Sequence, residues 1–223
     1  MPVIAIIGAG PGLGLAIARR FGGEGFKVAL ISRTQHKLDR LATELGEEGI
    51  EAAGFAADVL RPQSVRAGLA EAAGKLGPVD VLEYSPLDTG LGSARVTDAG
   101  SADFQRQVDY YLHGAVAAVR ESLPGMRERG TGTLLFSTGA SSVRPMGGDF
   151  GSVGIGGAAL RSYALSLNTD LAGTGVHAAH IAIAVYIGTG PGTEPEEIAE
   201  HHWRAYTDRD RPEYVHAPAD GAW

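Results

Sequence analysis

The chain has 223 residues, 44% of them apolar, with a formal net charge of -7 and an isoelectric point near 5.5. That length suits one α/β domain with a full core, and the acidity argues against nucleic acid or an anionic membrane surface as a partner. There is no cysteine, which excludes disulfides, thiolate catalysis and cysteine-based metal sites.

Met1-Pro2 runs straight into an apolar β-branched stretch with no charged leader, and no apolar run is long enough to span a bilayer. A cytoplasmic location follows as the expectation. The stretch itself, Val3-Ile4-Ala5-Ile6-Ile7, enters Gly8-Ala9-Gly10-Pro11-Gly12-Leu13-Gly14, and Leu15 to Phe21 follows with helical spacing. This reads as strand, tight turn, helix. Glycine accepts positive φ at little cost, and its missing Cβ lets a diphosphate approach backbone N–H groups at the positive end of a helix dipole. Alone, such glycines also suit an ordinary βα turn. A second short strand at Lys27 to Ile31 supplies the context of a dinucleotide site, with Gly8, Gly10, Pro11, Gly12, Leu13 and Gly14 as its phosphate cradle.

The glycines Gly8, Gly12 and Gly14 are spaced GxxxGxG rather than GxGxxG. This resembles the short-chain dehydrogenase/reductase family, and the resemblance runs from Val3 to about Ile187. It implies a single Rossmann-type domain over residues 1–223, an α/β fold with a doubly wound parallel sheet, as does the alternation of strands and helices itself.

The second strand ends in Ser32-Arg33-Thr34. A carboxylate there would accept from the adenosine ribose hydroxyls and repel a 2′-phosphate, whereas Arg33 can pair with one. NADP(H) is therefore the expected cofactor; the alternative is a solvated arginine at a strand end. A polar amphipathic helix over Gln35 to Glu47 and a strand over Glu51 to Ala57 follow, ending in Asp58-Val59. The resemblance gives Asp58 the adenine amino group, while structurally it could cap a helix from Ser64 to Leu76.

A fourth strand begins at Gly77 to Leu82, and where the family has Asn-Asn-Ala-Gly this chain has Tyr84-Ser85-Pro86-Leu87. Ser85 and Pro86 are expected beside the cofactor, with Tyr84 standing next to its ribose. Residues 88–100 read as loop and about 102–129 as one long helix. Within it, the position three before Gly114, where the family carries a catalytic Asn, is Tyr111. After a fifth strand, Thr133 to Ser137, the family's Ser, Tyr and Lys positions hold Gly139, Ser152 and Gly156. No tyrosine lies between Tyr111 and Tyr163, and no lysine follows Lys75, so sliding the register restores nothing.

The helices of about 102–129 and 152–172 are expected to build a homodimer or homotetramer, Gly156, Gly157, Ala158 and Ala159 permitting close helix approach. A sixth strand runs through Ala184. A lid-like segment is expected over about 188–210, containing a polar helix from Glu196 to Tyr206. Its adjacent His201 and His202 point to different helix faces, and no metal site is expected.

The resemblance implies an NADP(H)-binding oxidoreductase in which all four catalytic positions are replaced. Three readings remain open: an atypical oxidoreductase, a non-redox enzyme such as a cyclase or isomerase in the same cleft, and a catalytically inactive dinucleotide-binding or scaffold protein. Tyr111 is the candidate substitute acid; its bland reading is a plug filling vacated space.

Overall fold

The computed structural model describes residues 1–217; the last six residues of the expected domain, 218–223, lie outside the described part. Seven strands form one sheet in the order β3-β2-β1-β4-β5-β6-β7, all neighbours pairing in parallel. They are β1 Val3–Ile7, β2 Lys27–Ser32, β3 Ala52–Ala56, β4 Val81–Tyr84, β5 Gly132–Gly139, β6 Val176–Ile183 and β7 Glu213–His216. The connecting helices are α1 Leu13–Gly22, α2 Gln35–Glu47, α3 Pro62–Leu76, α4 Ser101–Val108, α5 Gly114–Arg129, α6 Gly151–Asp170 and α7 Pro195–Thr207. Among the described residues, no helix is long and apolar enough to cross a membrane.

Strand periodicity divides the core. In β1, Val3, Ala5 and Ile7 pack towards α3, α5 and α6, while Ile4 and Ile6 pack towards α1, α2 and α7. Every residue of β1 is buried, as a central parallel strand covered on both faces requires. Strand order reverses between β1 and β4, which opens a crevice at the carboxyl ends of these strands.

Three sequence expectations change here. The helix of 102–129 is interrupted: Asp109–His113 is a π-helical turn between α4 and α5. The helix of the lid-like segment is a core element. Ile198, Ala199, His202 and Ala205 are buried, and α7 is fastened to α1 by Trp203 edge-on to Phe21 (5.1 Å), with the Arg20 guanidinium over the Trp203 ring. From Pro195 to Thr207 the segment expected to be lid-like is therefore packed helix. Finally, of the small residues expected at a helix contact between subunits, Gly156 and Gly157 face inward against Gln107 and Ser142, while Ala158 is exposed.

Candidate cofactor cleft and active site

The crevice between β1 and β4 is knit from backbone. Gly8 and Ala9 N–H both donate to the Ile31 carbonyl at the end of β2, and Ser85 N–H donates to the Ile7 carbonyl. Gly8 has φ +108°, and a Cβ on it would sit 2.6 Å from the Ser85 carbonyl carbon and 2.7 Å from the Pro86 Cα. Only glycine permits that approach. A Cβ on Gly14 would likewise meet the Ala9 Cα at 2.9 Å, whereas one on Gly12 would meet nothing within 4 Å. The loop is therefore closed towards the sheet and open outward. The N-terminus of α1, with Gly12 as its N-cap, has no side-chain cap and no acid in its first turn, so its backbone donors suit an anion. These features fit a diphosphate.

The adenosine end differs from expectation in one respect. Arg33 does not stand alone: its Nη1 lies 2.6 Å from Asp88 Oδ2, a residue of the loop after β4. Thr34 is the N-cap of α2, and Ser32 closes β2. Asp58 accepts from Leu60 N–H (3.0 Å) and faces Arg61 at 3.6 Å. It shapes the turn before α3 rather than capping the helix, whose N-cap is Arg61. Val59 puts its side chain into the core.

Tyr84 does not stand beside a ribose. It shares the face of Leu82 in β4, is fully buried, and its phenol donates to the Tyr110 carbonyl at 2.6 Å. Tyr110 belongs to the π turn, where the helical hydrogen-bond ladder is relaxed. Gly114, the first residue of α5, leaves the room: a Cβ there would collide with the Tyr84 hydroxyl and lie 3.0 Å from the Val59 carbonyl.

Where the resemblance places the catalytic Tyr and Lys, packing has closed the space. Ser152 is 1% exposed; its Oγ accepts from Ala94 N–H (3.0 Å) and its N–H donates to the Ala94 carbonyl (3.1 Å). The loop after β4 is thereby strapped to the start of α6, with Ser93 also hydrogen-bonding the Asp149 carbonyl. One turn on, a Cβ at Gly156 would lie 2.8 Å from the Gln107 Cβ and 2.9 Å from its carbonyl oxygen. The backbone of α4 occupies the path a lysine would take. Gln107, 2% exposed, donates from Nε2 to the Gly92 carbonyl (2.7 Å) and leaves Oε1 without a partner. A residual cavity of about 100 Å³ lies between Gly92, Asp103, Gln107 and Ser152.

Tyr111 does not take that space; Gln107 and the backbone of residues 92–94 do. It packs edge-on to Tyr110, ring centroids 5.3 Å apart, against the core on the α5 side. Burial raises its phenol pKa, with no cation opposing the rise. That is the wrong direction for an acid meant to exchange a proton near neutrality; Tyr111 packs against the core and does not plug the space beside Ser152 and Gly156. Gly139 ends β5 exposed, with nothing within 4 Å of where its Cβ would be.

Two buried polar networks flank Gly139, one on each face of β5. On the α7 side, His202 Nδ1 donates to the Ile198 carbonyl (2.9 Å), so its Nε2 accepts the one Ser137 proton (2.7 Å). Glu83 Oε1 lies 3.3 Å from Ser137 Oγ, a long contact once the Ser137 proton is directed at His202. Full burial pushes the Glu83 pKa up to about 8, and Ser85 donates to its other oxygen at 2.9 Å. On the α6 side, Arg161 grips Glu213 through two hydrogen bonds of 2.6 and 2.8 Å, holding that carboxyl below its usual range. Glu213 accepts from His180 Nδ1 (2.9 Å), so Nε2 accepts from the Thr138 hydroxyl (2.7 Å). Burial lowers the pKa of both His180 and His202 to about 4. His201 turns elsewhere, against the His216 ring.

Sequence reasoning passed over Glu83, Asp88 and Gln107. Glu83 had a signal, a lone acid inside an apolar strand; the other two had none beyond ordinary loop and helix polarity.

Known proteins resemble this chain in different measure. The 2-(S)-hydroxypropyl-CoM dehydrogenase 3 of Xanthobacter autotrophicus is 38% identical over 133 residues, which is 60% of this chain and only about half (51%) of that protein. The NADP-dependent 3-hydroxy acid dehydrogenase YdfG of Salmonella typhi is 31% identical over 188 residues, 84% of this chain and 73% of that one. Among solved structures, L-sorbose reductase from Gluconobacter frateurii, complexed with NADPH and L-sorbose, superposes with a TM-score of 0.88 at 22% identity, over 100% of this chain and 97% of the other. A short-chain dehydrogenase from Rhodopseudomonas palustris gives 0.84 at 24%, over 97% and 98%. The glycine turn, the strand order and the crevice thus have their counterpart in a family whose pattern, short chain dehydrogenase, matches residues 2–190, and this chain belongs to that family.

Proposed function

We propose that this chain is an oxidoreductase-family protein that binds NADP(H) in the crevice between β1 and β4, and in which the family's phenol–lysine proton transfer has been replaced by packing. The observation that carries the reading is the approach of α4 to Gly156: a Cβ there would lie 2.8 Å from the Gln107 Cβ and 2.9 Å from its carbonyl oxygen, which leaves a lysine no room. NADP(H) would supply a hydride carrier. The chain's own part is to bind it: backbone donors of the α1 N-terminus take the diphosphate, and Arg33 takes the 2′-phosphate. The NADP dependence named for the Salmonella relative supports the choice of cofactor.

Calorimetric titration with NADPH and NADH tests the cofactor. NADPH is expected to bind more tightly, and Arg33→Ala to weaken NADPH by about tenfold while leaving NADH nearly unchanged. Equal affinities, or no loss in Arg33→Ala, would reduce Arg33 to surface charge.

A further inference from the structure

Arg33, the cation assigned to the 2′-phosphate, already holds a carboxylate. Asp88 Oδ2 sits 2.6 Å from Arg33 Nη1, and its side chain is only 17% exposed against 57% for Arg33. The pair joins the end of β2 to the loop after β4, two strands separated in the sheet by β1. It therefore bridges the carboxyl end of β1, where the glycine turn lies. Asp88 is also held in place from behind: its Oδ1 accepts from Gly90 N–H (2.9 Å), and its carbonyl accepts from Leu91 N–H (3.1 Å). The carboxylate is thus set by its own turn, with one oxygen free for Arg33.

We infer that Asp88 sets the dinucleotide preference by acting as an internal competitor of the 2′-phosphate for Arg33. The inference rests on the proposed binding of NADP(H) in this crevice. A 2′-phosphate brings a charge of about -1.5 to -2 near neutral pH, so it can displace a single carboxylate from a guanidinium, and it meets that carboxylate's repulsion while doing so. NADH has no such group to contend with. Asp58 is the other acid at this rim, and it is occupied with Leu60 N–H and Arg61. Competition is then specific to Asp88. Its cost falls on NADP(H) alone, and the discrimination conferred by Arg33 is smaller than the cation would give by itself.

The test uses the full chain and a double-mutant cycle read by calorimetry with NADPH and with NADH. Asp88→Asn keeps an oxygen for Gly90 N–H while removing the charge, and Asp88→Ser serves as a second variant with the same local acceptor. Both are expected to tighten NADPH about five- to tenfold and to move NADH less than about twofold. In an Arg33→Gln background the Asp88→Asn gain is expected to disappear. Binding of NADPH by Asp88→Asn when the wild type binds none would also support the inference, as complete competition. It is overturned if both Asp88 variants leave NADPH unchanged, or weaken both nucleotides, which would make Asp88 a ribose ligand. If no form of the chain binds either nucleotide, the proposed cofactor itself fails along with it; unchanged NADPH affinity in a wild type that does bind overturns the inference alone.

Discussion

Reinstalling the family's pair, Ser152→Tyr with Gly156→Lys, is expected to unfold or severely destabilise the chain and to restore no carbonyl reduction. Gly156→Ala alone brings a Cβ to 2.8 Å from the Gln107 Cβ and 2.9 Å from its backbone oxygen, contacts that a flexible side chain cannot relieve. Overpacking of this kind costs about 1–3 kcal/mol, against a helix-propensity gain near 1 kcal/mol on replacing glycine. A lysine adds four more heavy atoms along the same path, and a tyrosine at 152 removes the hydroxyl that accepts from Ala94 N–H and puts a ring into a position that is 1% exposed. Urea unfolding should show a loss of about 1–2 kcal/mol for Gly156→Ala and more than about 3 kcal/mol for the double variant. Full stability in the double variant would mean that α4 and α6 are not pressed together here.

The second large effect depends on pH. Glu83 ionises near pH 4.5 when exposed and at about 8 when folded, so its protonated form is the one the fold prefers. For a group raised in this way the stabilising contribution is complete below about pH 4.5 and is lost as pH climbs through 8. Glu83→Gln presents an amide N–H to Ser137 and a carbonyl to Ser85, copying the neutral acid without its ionisation. The variant is expected to match the wild type near pH 5 and to exceed it by a few kcal/mol at pH 8.5, since each tenfold change in proton affinity between the unfolded and folded chain corresponds to about 1.4 kcal/mol. His180 and His202 act with opposite sign: lowered to about 4, they favour folding above about pH 6.5 and lose that contribution as pH falls towards 4. They are common to both proteins, so the difference curve reports Glu83. A difference that stays flat from pH 5 to 8.5 would show that Glu83 is already ionised in the folded chain.

The order of elements up to β6 was legible because each is announced locally, by a β-branched run, a glycine turn or an amphipathic stretch. Val3–Ile7 and Gln35–Glu47 stand where those signals put them, and the strand read from Lys27 to Ile31 runs one residue further, to Ser32. What escaped was set by tertiary contacts. The π turn at Asp109–His113 is bound to the buried Tyr84 phenol, which no local pattern in the helix foretells. The four-residue β7 is too short and polar to stand out; it exists because Glu213 to His216 pair with His180 to Ile183. In α7 the buried stripe is made of Ile198, Ala199, His202 and Ala205, and a histidine and two alanines read as polar or neutral in sequence. The glycine turn was legible in the sequence, and backbone geometry demands glycine at Gly8 and Gly14, though not at Gly12. The resemblance pointed to Gly139, Ser152 and Gly156 as its catalytic positions, but what packs against Ser152 and Gly156 was not legible. Gln107 and Ala94 carry no signal that they would meet Gly156 and Ser152 across 49 and 58 residues.

The central claim is that dinucleotide binding has been retained while proton transfer by the family's pair has been packed away. Steady-state oxidation of NADPH at saturating nucleotide, over a panel of ketones, aldehydes and 3-oxo acids, tests it most directly. The expected result is turnover at least about 10²-fold below the ordinary range of about 1 to 10³ per second, the loss that follows when a positioned acid is missing, in a protein that binds NADPH by calorimetry. Turnover within the ordinary range would contradict it.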